Sequence, residues 1–163
     1  MTDDIRMSQV SRVVAAPVGR VFAFLANVDN HPLLDTSGMV RGSVDHLTVS
    51  EVGSVFVMNM HNDFKGDHQV ENHVVVYEPD RALGWAPAEP GHEPAGHTYV
   101  WRLEPDGEHR TVVSQTYDWS SFTHLDMLAH MPVVNRAQLQ RSLDQLADAV
   151  DDQDGPGRPT PAG

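Results

Sequence analysis

Between His61 and His68 the chain places two imidazoles and two carboxylates, those of His61, Asp63, Asp67 and His68, which are ligand types that a divalent ion such as zinc accepts. The Phe64-Lys65-Gly66 turn sets them at an exposed hairpin tip, where polar side chains are ordinarily solvated, and their spacing matches no known ligand motif. No metal site is expected. His61 and His73 share one polar strand face with Glu71 and read as cross-strand neighbours. His124, Asp126 and His130 form a looser group, in which His130 could act as an acid or base at a pocket mouth or simply cap a helix. Ser120 and Ser121 stand near His124, yet no G-x-S-x-G elbow surrounds them, and no G-x-G-x-x-G or Walker phosphate loop occurs. Nucleophilic and nucleotide-dependent chemistry are not expected, and neither is a cofactor.

A second set of residues offers binding rather than bond-making. Strand alternation collects Phe56, Met58 and Met60, then Val70, Asn72, Val74 and Val76, on one face. The same face takes Leu83 and Trp85, Tyr99, Trp101 and Leu103, and Val113, Gln115, Tyr117 and Trp119. Rings, adaptable methionines and a few polar groups are what a pocket for a flat or oily ligand requires. Met58, Met60, Asn72, Trp85, Tyr99, Trp101, Gln115, Tyr117 and Trp119 are the candidate ligand contacts, with Met127 and Met131 from the connection to the last helix as a lid. The same stripe also fits a plain hydrophobic core. A bulge in any strand would reverse the assignment beyond it.

These residues need a curved sheet behind them. In 13–29 a β-branched run breaks at Pro17, which suits a first helical turn, and Val18, Val21, Phe22, Leu25 and Ala26 then recur at helical spacing. Turn signals divide the next eighty or so residues into six strands, at about 40–49, 55–62, 69–77, 82–87, 98–104 and 111–119. With an opening strand near 9–15 that makes seven, and short connections favour an antiparallel meander. A last helix is expected from about 132 to 150, with Leu139, Leu143, Leu146 and Val150 as its apolar stripe. Asn30 and His31, before Pro32, are a second candidate gate to any pocket.

The length of 163 residues suits one domain. Residues 1–7 read as a flexible start, 8–150 as the domain and 151–163, acidic and rich in proline and glycine, as a disordered tail. Eleven basic against 23 acidic residues give a formal net charge of -12, and Lys65 is the single lysine, which argues against nucleic acid and anionic membrane surfaces as partners. Cysteine is absent, which removes disulfides and thiolate chemistry. No run approaches membrane-spanning length and the acidic N-terminus has no signal-peptide core, so stable membrane insertion is not expected and a cytoplasmic protein is the default.

The wording VVAAPVGRVFAFLANVDNHP, followed by strands, a late SQTYDWS and a terminal helix, resembles the START-like or SRPBCC superfamily, within it the polyketide cyclase/dehydrase and lipid-transport group. The resemblance implies an α+β helix-grip fold, in which a seven-stranded antiparallel sheet curves around a long C-terminal helix with two short helices after the first strand. It also implies an internal pocket for a hydrophobic small molecule. Three functions follow. The first is a carrier or sensor for an aromatic or lipid-like ligand. The second is a cyclase or aromatase that folds a poly-β-keto chain in the same pocket, with Tyr99, Tyr117, Asn72, Gln115 and His130 as candidate donors and bases. The third is a protein-interaction module with a filled core.

Overall fold

The computed structural model describes residues 6–63, 65–123, 131–132 and 134–151. Seven strands form one antiparallel sheet: β1 (Met7–Val14), β2 (Val40–Ser43), β3 (Val55–Asn62), β4 (Gly66–Glu78), β5 (Ala82–Ala88), β6 (Thr98–Pro105) and β7 (Thr111–Asp118). Their order is β1-β7-β6-β5-β4-β3-β2, so a meander is closed at one side by the opening strand. Helices α1 (Val18–Ala26) and α2 (His31–Leu34) follow β1, with a 3-10 turn at Val28–Asn30 between them, and α3 (Arg136–Val150) ends the domain. This is the helix-grip architecture. Of the expected tail, 151–163, residues 152–163 lie outside the described residues, as do residues 1–5 and Met127, His124, Asp126 and His130.

Helix α1 begins one residue later than expected. Pro17 is its N-cap, with extended backbone, and its carbonyl accepts from Arg20 and Val21. Val21, Phe22, Leu25 and Ala26 are buried as the helical spacing predicts. In α3 the buried stripe is Leu139, Leu143, Leu146 and Val150, lying on β1 and β7. The helix starts at Arg136 rather than near 132 because Asn135 and Gln138 form a capping box: Gln138 N–H donates to Asn135 Oδ1 at 2.8 Å and Asn135 N–H to Gln138 Oε1 at 2.7 Å.

Two strand expectations need correction. The second strand does not run over 40–49 but stops at Ser43, because Val49 turns inward: its N–H donates to the Ala26 carbonyl at 2.8 Å and its side chain is buried. In β4 the pairing with β5 slips between Val74 and Val76, a bulge at Val75 opposite Gly84. Val76 therefore leaves the concave face and Tyr77 joins it, edge-on to Phe22 at 5.5 Å. Gly84 is required beside the bulge, since a Cβ there would lie 2.8 Å from Val100 Cγ2.

Helix α2 and the segment after it are fastened to α3. Ser142 Oγ donates to the Leu34 carbonyl at 2.7 Å, Gln145 Nε2 to the Leu33 carbonyl at 2.6 Å, and Thr36 Oγ1 to the Gln138 carbonyl at 2.7 Å. These bonds join α2 and Thr36, at one rim of the concave face, to α3.

Candidate functional site

Between the concave face, α3 and the α2 rim lies a cavity of about 600 Å³, within the range of small-molecule sites. From β3 come Met58 and Met60, from β4 Asn72, from β5 Trp85, from β6 Tyr99 and Trp101, and from β7 Gln115. Met131, Phe122 and Val134 close it from the connection before α3. Lys65 and Glu89 are exposed and joined at 3.0 Å, which marks the open end; Trp101 and Gln115, both buried, mark the inner end.

Tyr117 and Trp119, expected as ligand contacts, do not line the cavity. Tyr117 stands opposite Tyr99 in the ladder and is fully buried, its ring stacked on that of Tyr99 at 4.5 Å with 3° between planes. Trp119 packs behind it, 5.2 Å from the Tyr117 ring. The Tyr117 hydroxyl donates to Met131 Sδ at 3.9 Å. Burial, followed by the neighbouring Tyr117 and Asp35, holds the Tyr99 hydroxyl well above its ordinary pKa. Met127 lies outside the described residues.

His31 is not a gate but a part of the wall. Its Nε2–H donates to the Leu25 carbonyl at 2.7 Å, its ring stacks on Trp85 at 4.8 Å, and the edge of the pair meets Phe56 at 5.3 Å. Desolvation lowers its pKa to about 4, the hydrogen bond to Leu25 offsetting only part of the effect. The imidazole is neutral at physiological pH, with Nδ1 as its lone-pair nitrogen. The available sequence signal was the i, i+3 spacing of His31 and Leu34, which puts both on the inner side of one helical turn.

Asp35 also reaches the cavity, but its carboxylate serves the backbone. It accepts from Ser37 N–H at 3.1 Å, Ser37 Oγ at 2.6 Å, Gly38 N–H at 2.9 Å and Val40 N–H at 3.2 Å. Among the described residues no group of three or more His, Asp or Glu side chains is placed to hold a metal ion. His61 Nδ1 meets Asp67 at 2.8 Å, and His68 turns its Nδ1–H to the Gly66 carbonyl at 2.9 Å. His61 and His73 are not cross-strand neighbours: their partners are Asp67 and Val55, and Glu71 accepts from Gly91 N–H at 2.8 Å.

The sheet, the terminal helix and the cavity between them accompany a direct family match. Residues 7–151 match the family of polyketide cyclase/dehydrase and lipid transport proteins. The chain belongs to this family. Among curated relatives, the uncharacterized protein Rv0088 of Mycobacterium tuberculosis is 31% identical over 118 residues, which are 71% of this chain and 50% of that protein. The chain thus spans about half the length of the curated relatives it matches. Among solved structures, a protein from Arthrobacter aurescens superposes with a TM-score of 0.65 at 16% identity, covering 97% of this chain and 92% of that one. The Zhui aromatase/cyclase from Streptomyces sp. R1128 superposes with a TM-score of 0.58 at 16% identity, covering 94% and 99%. At such identities the likeness is one of fold. No helix among the described residues is long and apolar enough to cross a membrane.

Proposed function

We propose that this member of the polyketide cyclase/dehydrase and lipid transport family binds a hydrophobic small molecule, aromatic or lipid-like, in the cavity between sheet and α3, as a carrier or sensor. The observation that carries this reading is the cavity itself: about 600 Å³ walled by Trp85, Tyr99, Trp101, Met58 and Met60, which the side chains of the described residues leave unfilled. Apolar walls with few polar groups bind by removing ligand surface from water, at roughly 25 cal/mol per Å². An interaction module with a filled core would not need such a space.

A cyclase or aromatase acting in the same cavity is the second reading. What supports it is a neutral imidazole, His31, and the Tyr99 phenol on the wall, together with the fold shared with a protein named as an aromatase/cyclase. Shape and a few oriented donors are what guided folding of a reactive chain calls for.

The test is native mass spectrometry of freshly purified protein, followed by denaturation and identification of any released molecule. A bound species of defined mass, hydrophobic in character, is expected. A protein that is empty and also takes up no member of a panel of lipids, quinones and polyketide mimics would overturn the reading. Turnover of a poly-β-ketone, measured alongside, separates the enzyme from the carrier.

A further inference from the structure

One ion pair at the open end of the cavity spans a length of strand that neither side chain covers alone. Lys65, the single lysine of the chain, meets Glu89 with Nζ 3.0 Å from Oε1, and both residues line the cavity. Lys65 stands just before β4, whereas Glu89 just follows β5, whose last residue, Ala88, pairs with Glu71. Continued by one position, that register sets Glu89 beside Val70. The stretch of β4 between the two, Gly66 to Val70, spans roughly 13 Å at about 3.3 Å per residue. The charged heads therefore meet only with both side chains extended toward each other along the strand. His68 and Val70, which also line the cavity, belong to the stretch so spanned.

The backbone on either side is held independently of this pair. Lys65 N–H donates to Asn62 Oδ1 at 2.7 Å, and Gly91 N–H donates to Glu71 Oε1 at 2.8 Å. Parting the pair thus needs rotation of two long side chains and no change of fold, a motion of the picosecond-to-nanosecond range. The two side chains are 36% and 51% exposed, so water receives both charges when they separate. Asp35, the other carboxylate of the lining, is by contrast fixed by the amides of its own loop and by Ser37 Oγ.

We propose that the Lys65–Glu89 pair is a strap over the open end, which parts to admit and release the ligand and closes in both the empty and the filled protein. The inference rests on the reading of the cavity as a ligand site and concerns how that site is entered. Association and dissociation both pass through the parted form. The strap therefore slows the two rates by one factor and leaves the affinity unchanged. An exposed ion pair is weak and screened by salt, so the factor is small and falls as salt is added.

The experiment follows uptake and release of Nile red by the full chain in stopped-flow fluorescence. Lys65→Met, which keeps the apolar stem and removes the charge, should raise both rate constants about three- to fivefold at unchanged Kd. About 0.5 M sodium chloride should do the same to the natural chain and leave Lys65→Met unmoved. The exchanged pair, Lys65→Glu with Glu89→Lys, should restore the slow rates. Unchanged rates in Lys65→Met, or fast exchange in the exchanged pair, would overturn the inference and leave the cavity reading standing. So would faster release alone with a matching loss of affinity, which would make Lys65 a contact of the dye. A natural chain that takes up no Nile red would overturn the cavity reading itself, and the inference with it. Should a variant not fold, the salt dependence of the natural chain decides, and rates indifferent to salt overturn the strap.

Discussion

His31 lies flat on Trp85, with ring centroids 4.8 Å apart and planes 19° from parallel, while its Nε2–H is spent on the Leu25 carbonyl at 2.7 Å. The strand that builds the cavity floor is thereby joined to the end of α1, and a titratable ring is held away from water. The consequence is a dependence of stability on acid.

Because burial lowers the His31 pKa from 6.5 to about 4, the folded chain resists a proton that the unfolded chain accepts. The stabilisation is complete above pH 6.5 and is lost as the pH falls toward about 4. By about pH 5 the loss should reach roughly 2 kcal/mol relative to about pH 7.5. Urea unfolding at both pH values should show this decrement for the natural chain and a smaller one for His31→Gln. Equal decrements in the two proteins would show that His31 is not the group responsible.

Trp85 presents its ring to the cavity, whereas His61 is engaged with Asp67 near the hairpin tip. Trp85→Ala should weaken binding of the hydrophobic dye Nile red by about tenfold or more, through loss of aromatic contact area. His61→Ala should leave it unchanged. Fluorescence titration reads both, and matched losses would mean that the dye does not enter the cavity.

Gly96 adopts φ +108°, and a Cβ there would run into the Ser121 carbonyl group, whose carbon lies 2.6 Å from it. This close approach lets Thr123 N–H donate to the Ala95 carbonyl at 2.7 Å, beside the wall residue Phe122. Gly96→Ala should cost about 3 kcal/mol or more, lowering the melting temperature by roughly 10 °C. Gly91→Ala, at φ +79° but in open space, should cost only about 1 kcal/mol. Thermal melts of the two variants compare clash plus strain with strain alone.

Asn135 supplies the N-cap that sets the start of α3. Asn135→Ala should cost about 1 kcal/mol and lower the melting temperature by about 2–4 °C. In a double variant with Gln138→Ala the losses should not add, since each residue serves the same box. Additive losses in circular-dichroism melts would show that the two caps act separately.

Much of the sheet was readable from the chain. Turn residues and period-two alternation locate β3, β5, β6 and β7 to within a residue or two, and the Leu139, Leu143, Leu146 and Val150 stripe identifies the face of α3. Gly84 within a strand was the available hint of the neighbouring bulge, yet it could not say which strand takes the extra residue. That depends on β4 meeting β5, and it exchanged Val76 for Tyr77 on the inner face.

What the residues alone determined about this protein is its periodicity, and with it seven strands, their flanking helices and the inward set of aromatic and methionine side chains, because alternation and helical spacing are local properties of the backbone. The helix-grip arrangement of those elements came from the family resemblance. What only the tertiary structure decided is which of those side chains touch a cavity and which fill the core behind it. Tyr99 and Tyr117 have the same parity and the same chemistry, but one lines the cavity and the other is sealed beneath a stacked ring, since depth is set by neighbouring strands and by where α3 comes to rest. His31 follows the same rule: a polar residue near a proline becomes a neutral part of the wall once Trp85, Phe56 and the Leu25 carbonyl enclose it.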